Sequence, residues 1–278
     1  MPVLDDRPVD AIVGGPIVVA PLPAEIAALA ALMVTHRIHG VLVTHADGEE
    51  WASDLEVLRA AVAGDRRWRP GHRRRAPVVQ PRASLRATAR ALVAADASHC
   101  LVVDGDAVTG VVSALDLCGA AAGVAVRSEA PPVSTTLSFD ERRLERVEAR
   151  RAMHHGVVTA DPATPLVDVA RTMAQTPVHC VVVEGVRRDG GGEHLVWGVV
   201  SDLDVVRALA GGLDDAVAAD VAATEPVCVD ATDPLDEVAR RLCEHDVAHV
   251  IVTDPAGRPC GVVSTLDVLR VVACDSGI

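Results

Sequence analysis

One ten-residue phrase, written almost identically in two places, constrains this chain more than any other feature. "GVVSDLDVVR" fills positions 198–207 and "GVVSTLDVLR" fills 261–270; eight of ten residues are identical and the starts lie 63 residues apart. Repetition at a fixed spacing points to one supersecondary unit used several times, each copy too small to bury its own apolar face. The likeness extends upstream, through "VVTADPATPLVDVARTMAQTPVHCVVVEG" from Val157 and "VCVDATDPLDEVARRLCEHDVAHVIVTDP" from Val227. A third copy starts at Pro77 and ends in "GVVSALDLCGA"; a more divergent fourth starts at Ile17 and ends in "EEWASDLEVLRA".

Each copy carries the same succession of signals. A short β-branched run predicts a strand. A Pro or small-residue turn follows, then about twelve residues of helical period. Leu166, Val169, Ala170 and Met173 stand at i, i+3, i+4 and i+7, one face of a helix. Runs such as "CVVV" predict a second strand, and "ADGE", "DGD", "RRDGGGE" and "DPAG" predict hairpins into a third. The phrase "SxLD" then opens a second helix, with Ser at the N-cap and an acid in the first turn. The expected unit is β-α-β-β-α, and the fold class is α/β (α+β).

Four such units group by adjacency into two modules, residues 1–121 and 138–278, with a Pro/Ser/Thr-containing linker over 122–137. The units span about 8–61, 73–121, 138–212 and 213–278. Ser138 and Glu141 form the pattern of a capping box, which predicts an amphipathic helix leading into the third unit.

The net charge of −13 argues against a general nucleic-acid binder, which needs basic surface. No apolar run approaches the roughly 18 residues of a membrane span, and the acidic N-terminus lacks a signal-peptide pattern. A cytoplasmic protein is expected. Seven cysteines without CxxC spacing predict buried free thiols rather than a redox or metal site. His99–Cys100, His179–Cys180 and His154–His155 are adjacent pairs; neighbours on a strand point to opposite faces, so no metal site is expected.

The repeated "GVVSALD", "GVVSDLD" and "GVVSTLD" resemble the strand-to-helix phrase of CBS domains, named after cystathionine beta-synthase. "RAMHHGVVTADPATPL" and "ADVAATEPVCVDATDPL" are similar to that family's entry phrase. The resemblance covers nearly the whole chain and implies four CBS repeats paired into two Bateman modules. It implies a stand-alone regulatory sensor, not an enzyme, that binds an adenosine-containing ligand of the AMP/ADP/ATP class between paired repeats. No cofactor is required. A homodimer, or a disc of four repeats within one chain, and a regulated protein partner go with that reading. The alternative is a ligand-free scaffold for dimerisation or docking; a sensor of S-adenosylmethionine or a nucleic-acid-binding CBS protein ranks below both.

Such a ligand needs a carboxylate for its ribose diol, and hydroxyls, helix N-terminal amides or cations for its phosphates. The matching carboxylates are Asp116, Asp204 and Asp267, with Glu56 in the divergent unit; the hydroxyls are Ser113, Ser201, Ser264 and Ser53. Val157–Val158 and Val181–Val182 would line the adenine slot. "SxLD" also reads as an ordinary helix cap, worth about 1 kcal/mol. His39, His99, His179 and His249 align just before the second strand, where a basic residue reaches the phosphates in some family members. They read equally as strand-edge histidines bonded to backbone. Residues 65–75, "DRRWRPGHRRR", read as a solvated basic connector, with a phosphate contact through Arg73, Arg74 or Arg75, or a local acidic or nucleic-acid partner, as alternatives.

Overall fold

A computed structural model describes residues 7–13, 17–46, 48–69, 76–123, 144–176, 178–189, 192–211, 215–223 and 225–273. The β-α-β-β-α plan recurs four times. The first repeat is β1 (Val19–Pro21), α1 (Ile26–His36), β2 (Gly40–His45), β3 (Gly48–Ser53) and α2 (Asp54–Val62). The second is β4 (Val78–Val79), α3 (Leu85–Ala95), β5 (His99–Asp104), β6 (Ala107–Ser113) and α4 (Ala114–Ala122). A short α5 (Ala149–Ala152) and β7 (His154–His155) precede the third: β8 (Thr159–Ala160), α6 (Leu166–Gln175), β9 (Cys180–Asp189), β10 (Gly192–Ser201) and α7 (Asp202–Gly211). After α8 (Ala218–Val221), the fourth is β11 (Cys228–Asp230), α9 (Leu235–Glu244), β12 (His249–Thr253), β13 (Pro259–Ser264) and α10 (Thr265–Ala273).

In every repeat the first strand runs parallel to the second, which pairs antiparallel with the third. The helix between the first two strands supplies the crossover that a parallel pair requires. The anticipated stripe on α6 is buried throughout, and α9 repeats it with Leu235, Val238, Ala239 and Leu242. The hairpin between β5 and β6 closes Asp104 on Ala107 through Gly105, whose φ of +60° suits glycine.

The described chain divides into two compact units: 1–17, 76–156 and 227–278 in one, 18–75 and 157–226 in the other. The first unit joins the second and fourth repeats through α4 against α9 and α10, and α3 against α10. The second joins the first and third repeats through α1 and α2 against α7, and α2 against α6. The grouping by helix contact is thus crosswise along the chain, different from the adjacent pairing into residues 1–121 and 138–278. The physical reason is that each second helix is apolar on the side away from its own sheet. Leu58, for example, is fully buried among Leu166, Val169 and Met173 of the third repeat.

Backbone contacts of another kind recur within each unit. The short segment before each repeat docks on the neighbouring repeat through the same two backbone bonds. Leu85 N donates to Arg7 O (3.0 Å) and Val9 N to Ala83 O (2.8 Å), which sets the first arm on the second repeat. Ile26 N to Arg66 O (3.0 Å) and Trp68 N to Ala24 O (2.9 Å) set the second arm on the first repeat. Leu235 N to Val147 O (2.9 Å) and Ala149 N to Asp233 O (2.7 Å) set the third arm on the fourth repeat; Leu166 N to Ala216 O and Ala218 N to Thr164 O (both 2.8 Å) return the exchange. Val9, Trp68, Ala149 and Ala218 occupy equivalent places and are all buried.

Two expectations change accordingly. Residues 65–69 are docked through Trp68, whose buried indole donates to Glu50 Oε2 at 3.0 Å, while Arg66, Arg67 and Arg69 stay exposed as a solvated connector would have them; Arg73, Arg74 and Arg75 lie outside the described residues. The amphipathic helix does not run through 145–148, which form a turn with Glu148 extended, since this stretch must bracket Leu235. Ser138, Glu141, most of the 122–137 linker and Cys274 lie outside the described residues.

Candidate functional site

The candidate ligand residues lie where the third strand of a repeat meets its second helix. There the chain turns from β13, for example, directly into α10, and the first-turn amides need acceptors. In three repeats Ser and Asp supply them reciprocally. Ser113 Oγ donates to Asp116 Oδ2 at 2.7 Å, and the Ser113 amide reaches the same oxygen at 2.8 Å. Ser201 and Asp204 repeat this at 2.6 and 2.9 Å, and Ser264 and Asp267 at 2.6 and 2.8 Å. Each Asp amide donates back to its Ser Oγ. The helix-cap chemistry anticipated for "SxLD" is therefore present, and it fixes the carboxylate. Each serine proton is spent on its own aspartate, so a phosphate would have to draw on other donors or reorient that hydroxyl. In the divergent first repeat the box is looser: Ser53 Oγ and N lie 3.2 Å from Glu56 Oε2, as the extra methylene dictates.

The outer carboxylate oxygens distinguish the sites. Asp204 Oδ1 accepts from Arg207 Nη1 at 2.8 Å, at the surface. Asp267 Oδ1 accepts from Arg270 and also lies 3.2 Å from His154 Nε2 on the third arm. The Asp204 side chain is 19% exposed and that of Asp267 only 5%. A ligand ribose reaching Asp204 has a surface arginine to displace; at Asp267 it has an arginine and a docked arm.

The glycine that opens the repeated phrase is explained by the arms. A Cβ on Gly198 would stand 2.7 Å from Ala223 O, and one on Gly261 2.7 Å from His154 O and 2.6 Å from Met153 Sδ. On Gly110 it would stand 2.3 Å from Val13 Cγ1. In each case the obstacle belongs to an exchanged arm. The first repeat has Glu50 at this position and uses its side chain to hold Trp68 of the second arm. Trp51, two residues before Ser53, lies over Gly40, whose added Cβ would fall 2.2 Å from the ring. The "EEWAS" departure is thus a local repacking.

The four histidines do not share one position. Gly40 pairs with Ser53 and Cys180 with Ser201, whereas His99 pairs with Ser113 and His249 with Ser264. His39 and His179 therefore stand one residue earlier than His99 and His249. The run from first helix to second strand is equally long in all four repeats, Ile26 to Gly40, Leu85 to His99, Leu166 to Cys180 and Leu235 to His249, so the histidines themselves are offset by one residue, and such a slip turns a side chain to the other face. A ring of four equivalent histidines is not formed. His39 Nδ1 bonds Asp54 Oδ2 at 2.7 Å and His179 Nδ1 bonds Asp202 Oδ2 at 2.8 Å, while His99 Nδ1 meets Ser98 Oγ at 2.9 Å. Alternation also divides the proposed adenine slot: Val181 and Val183 join the core beneath the helices, so Val182 faces the other side of its sheet.

A cavity of about 270 Å³ opens beside β8 and α6, lined by Thr159, Asp161, Thr164, Asp168 and Thr172 among others. It contains none of the predicted Ser, Asp or His residues. In the fourth repeat Arg241 replaces Thr172 and spans the equivalent space to bond Cys228 O and Glu237. Among the described residues no cluster of three or more His, Cys, Asp or Glu side chains is arranged to hold a metal ion. Nor is any described helix long and apolar enough to cross a membrane.

Four β-α-β-β-α repeats, each with a Ser–carboxylate box at its strand–helix junction and an exchanged arm, define a tandem-repeat protein. The family model described as CBS domain matches residues 149–211 and 217–274. Protein MJ1225 from Methanocaldococcus jannaschii has the same fold, with a TM-score of 0.72 over 95% of this chain and 99% of its own at 14% identity. An uncharacterized conserved protein from Pyrococcus horikoshii gives 0.58 over 96% and 100%, at 17% identity. CBS domain protein PAE2072 from Pyrobaculum aerophilum, complexed with AMP, is 29% identical over 44% of this chain and 89% of its own, with a TM-score of 0.38. No curated protein matches the sequence. The third and fourth repeats are CBS domains, and the first and second follow the same β-α-β-β-α plan.

Proposed function

We propose that this protein is a regulatory sensor that binds an adenosine-containing ligand of the AMP/ADP/ATP class, with Asp204 as the principal ribose acceptor. CBS domain pairs bind AMP or S-adenosylmethionine and act as regulatory modules, which supports the reading. The observation that carries it is the Asp204 carboxylate. One oxygen is locked by Ser201, which fixes the group's direction, while the other accepts from the half-exposed Arg207. A rigid carboxylate with a displaceable cation suits a ribose diol, and the freed Arg207 is then a cation for phosphate. Ligand binding would favour one arrangement of a pair over another and so alter a partner protein or a second copy. On this reading the protein regulates and does not catalyse.

Thermal melts with AMP, ADP, ATP and S-adenosylmethionine test the proposal. Stabilisation should grow with ligand concentration, and Asp204→Ala with Asp267→Ala should abolish it. Absence of any shift in the unmodified protein with all four ligands overturns it and favours a ligand-free scaffold. The enclosure of Asp267 is the observation on the scaffold's side.

A further inference from the structure

The first and third repeats meet around a cluster that the ligand site does not use. Asp54 and Asp202 are the first residues of α2 and α7, helices that pack on one another. Each carboxylate is nearly buried, with side chains 7% and 8% exposed, and each is bonded by the histidine one residue before its repeat's second strand. The brackets match atom for atom. Asp54 N donates to His39 O and Asp202 N to His179 O, both at 3.0 Å; Oδ1 of each takes the next amide, Leu55 N at 2.8 Å and Leu203 N at 2.9 Å. The helix contact brings the two carboxylates, each with one imidazole, near enough for the charge of Asp54 to act on Asp202.

The first unit, which joins the second and fourth repeats, has no counterpart. Where His39 and His179 stand, the second and fourth repeats have Ser98 and Ala248; where Asp54 and Asp202 stand, they have Ala114 and Thr265. The cluster is thus a feature of one helix interface and not a by-product of the repeat. We propose that His39, Asp54, His179 and Asp202 form a pH-responsive joint between the first and third repeats, tight at mildly acidic pH and loosened as pH rises.

The charges give the sign. With both imidazoles protonated the four groups sum to zero; loss of the two protons leaves two buried carboxylates in mutual repulsion. Burial alone would lower the affinity of His179 for its proton, but the Asp202 hydrogen bond and the charges of Asp202 and Asp54 raise it overall. Burial and then the charge of Asp54 raise Asp202, against the opposing pull of His179 and His39. Both groups hold protons more tightly when folded. The stability that His179 gives is complete below the ordinary histidine value and is lost as pH climbs through its raised one, whereas that of Asp202 is complete only below the ordinary carboxylate value and is lost as pH climbs through its own raised one. Other charged groups on the packed helices are Glu56 and Arg59 on α2, Asp204 and Arg207 on α7, Asp168 and Arg171 on α6, and His36 on α1. Of these Arg59 acts on His179, in the lowering direction.

Residue placement supplies a selective reporter, because all three tryptophans, Trp51, Trp68 and Trp197, lie in the unit that holds the joint. Thermal unfolding of the full chain, followed by tryptophan fluorescence, should show a midpoint that falls by at least about 3 °C between pH 6 and pH 8. Asp54→Asn with Asp202→Asn should flatten that dependence. Should the double variant fail to fold, Asp54→Asn alone, which keeps one pair, should roughly halve it. A midpoint independent of pH in the unmodified protein, or a variant that keeps the full dependence, overturns the proposal.

Discussion

Replacing Gly198 by alanine probes why the repeated phrase begins with glycine. A glycine inside a strand is a liability, and alanine there ordinarily adds stability of about 0.4–1 kcal/mol by restricting the unfolded chain. Here the arm inverts that sign. The new Cβ would sit 2.7 Å from Ala223 O and 3.3 Å from Ala222 Cβ, and the first obstacle is backbone that cannot rotate aside. Relief requires the arm to lift, which breaks the pair Val199 N to Ala223 O (3.0 Å) and Ala223 N to Val199 O (2.8 Å). Two backbone bonds at about 1 kcal/mol each, set against the entropic gain and increased by residual strain, give a net destabilisation of about 2 kcal/mol. With a denaturant slope near 2 kcal/mol/M, the urea midpoint should fall by about 1 M, read by the fluorescence of Trp197 one residue away. Gly105→Ala is the comparison: it meets no atom within 4 Å, and its φ of +60° costs only about 1 kcal/mol. An equal or higher midpoint for Gly198→Ala than for the parent would refute the role assigned to the arms.

Further outcomes follow from the same contacts. Ser201→Ala should cost about 1 kcal/mol in chemical denaturation, since it removes an N-cap; it should also weaken ligand-induced stabilisation by leaving Asp204 unbraced, while Ser84→Ala, which removes the cap of α3, should show only the first effect. Burial pushes the Cys100 and Cys180 thiols up to about 12 and Cys118 well above its ordinary value. At pH 8 only about one such thiol in ten thousand is ionised, so a thiol-exchange reagent followed by peptide mapping should leave all three unlabelled until the protein unfolds. Rapid native labelling of Cys118 would contradict its enclosure. Glu50→Ala should lower the midpoint by removing the acceptor of the Trp68 indole, and should shift the emission of that tryptophan.

The β-α-β-β-α plan was legible because apolar period and turn residues repeat four times, and the burial of Leu166, Val169, Ala170 and Met173 follows the predicted stripe. The strand–helix junction was legible for the same reason: Ser and Asp three residues apart can cap one another wherever a helix begins. The exchanged arms were not legible. Arg7, Arg66, Val147 and Ala216 dock through their carbonyl oxygens, and a backbone bond leaves no trace in side-chain identity. The crosswise helix contacts escaped because an apolar helix face does not name its partner. The histidines misaligned because the copies beginning at Ile17 and Val157 start one residue earlier relative to their first helices than those beginning at Pro77 and Val227, so matching letters concealed a one-residue offset. Asp54 and Asp202 could have been noticed as acids where the other repeats have Ala114 and Thr265, but only the fold brings them together.

A co-crystal structure with AMP tests the ligand assignment most directly. The ribose hydroxyls should lie within hydrogen-bond distance of the Asp204 carboxylate, with Arg207 turned from Oδ1 toward phosphate. A nucleotide bound with its ribose away from Asp204, Asp116 and Asp267, or a protein that excludes the nucleotide at saturating concentration, would contradict it.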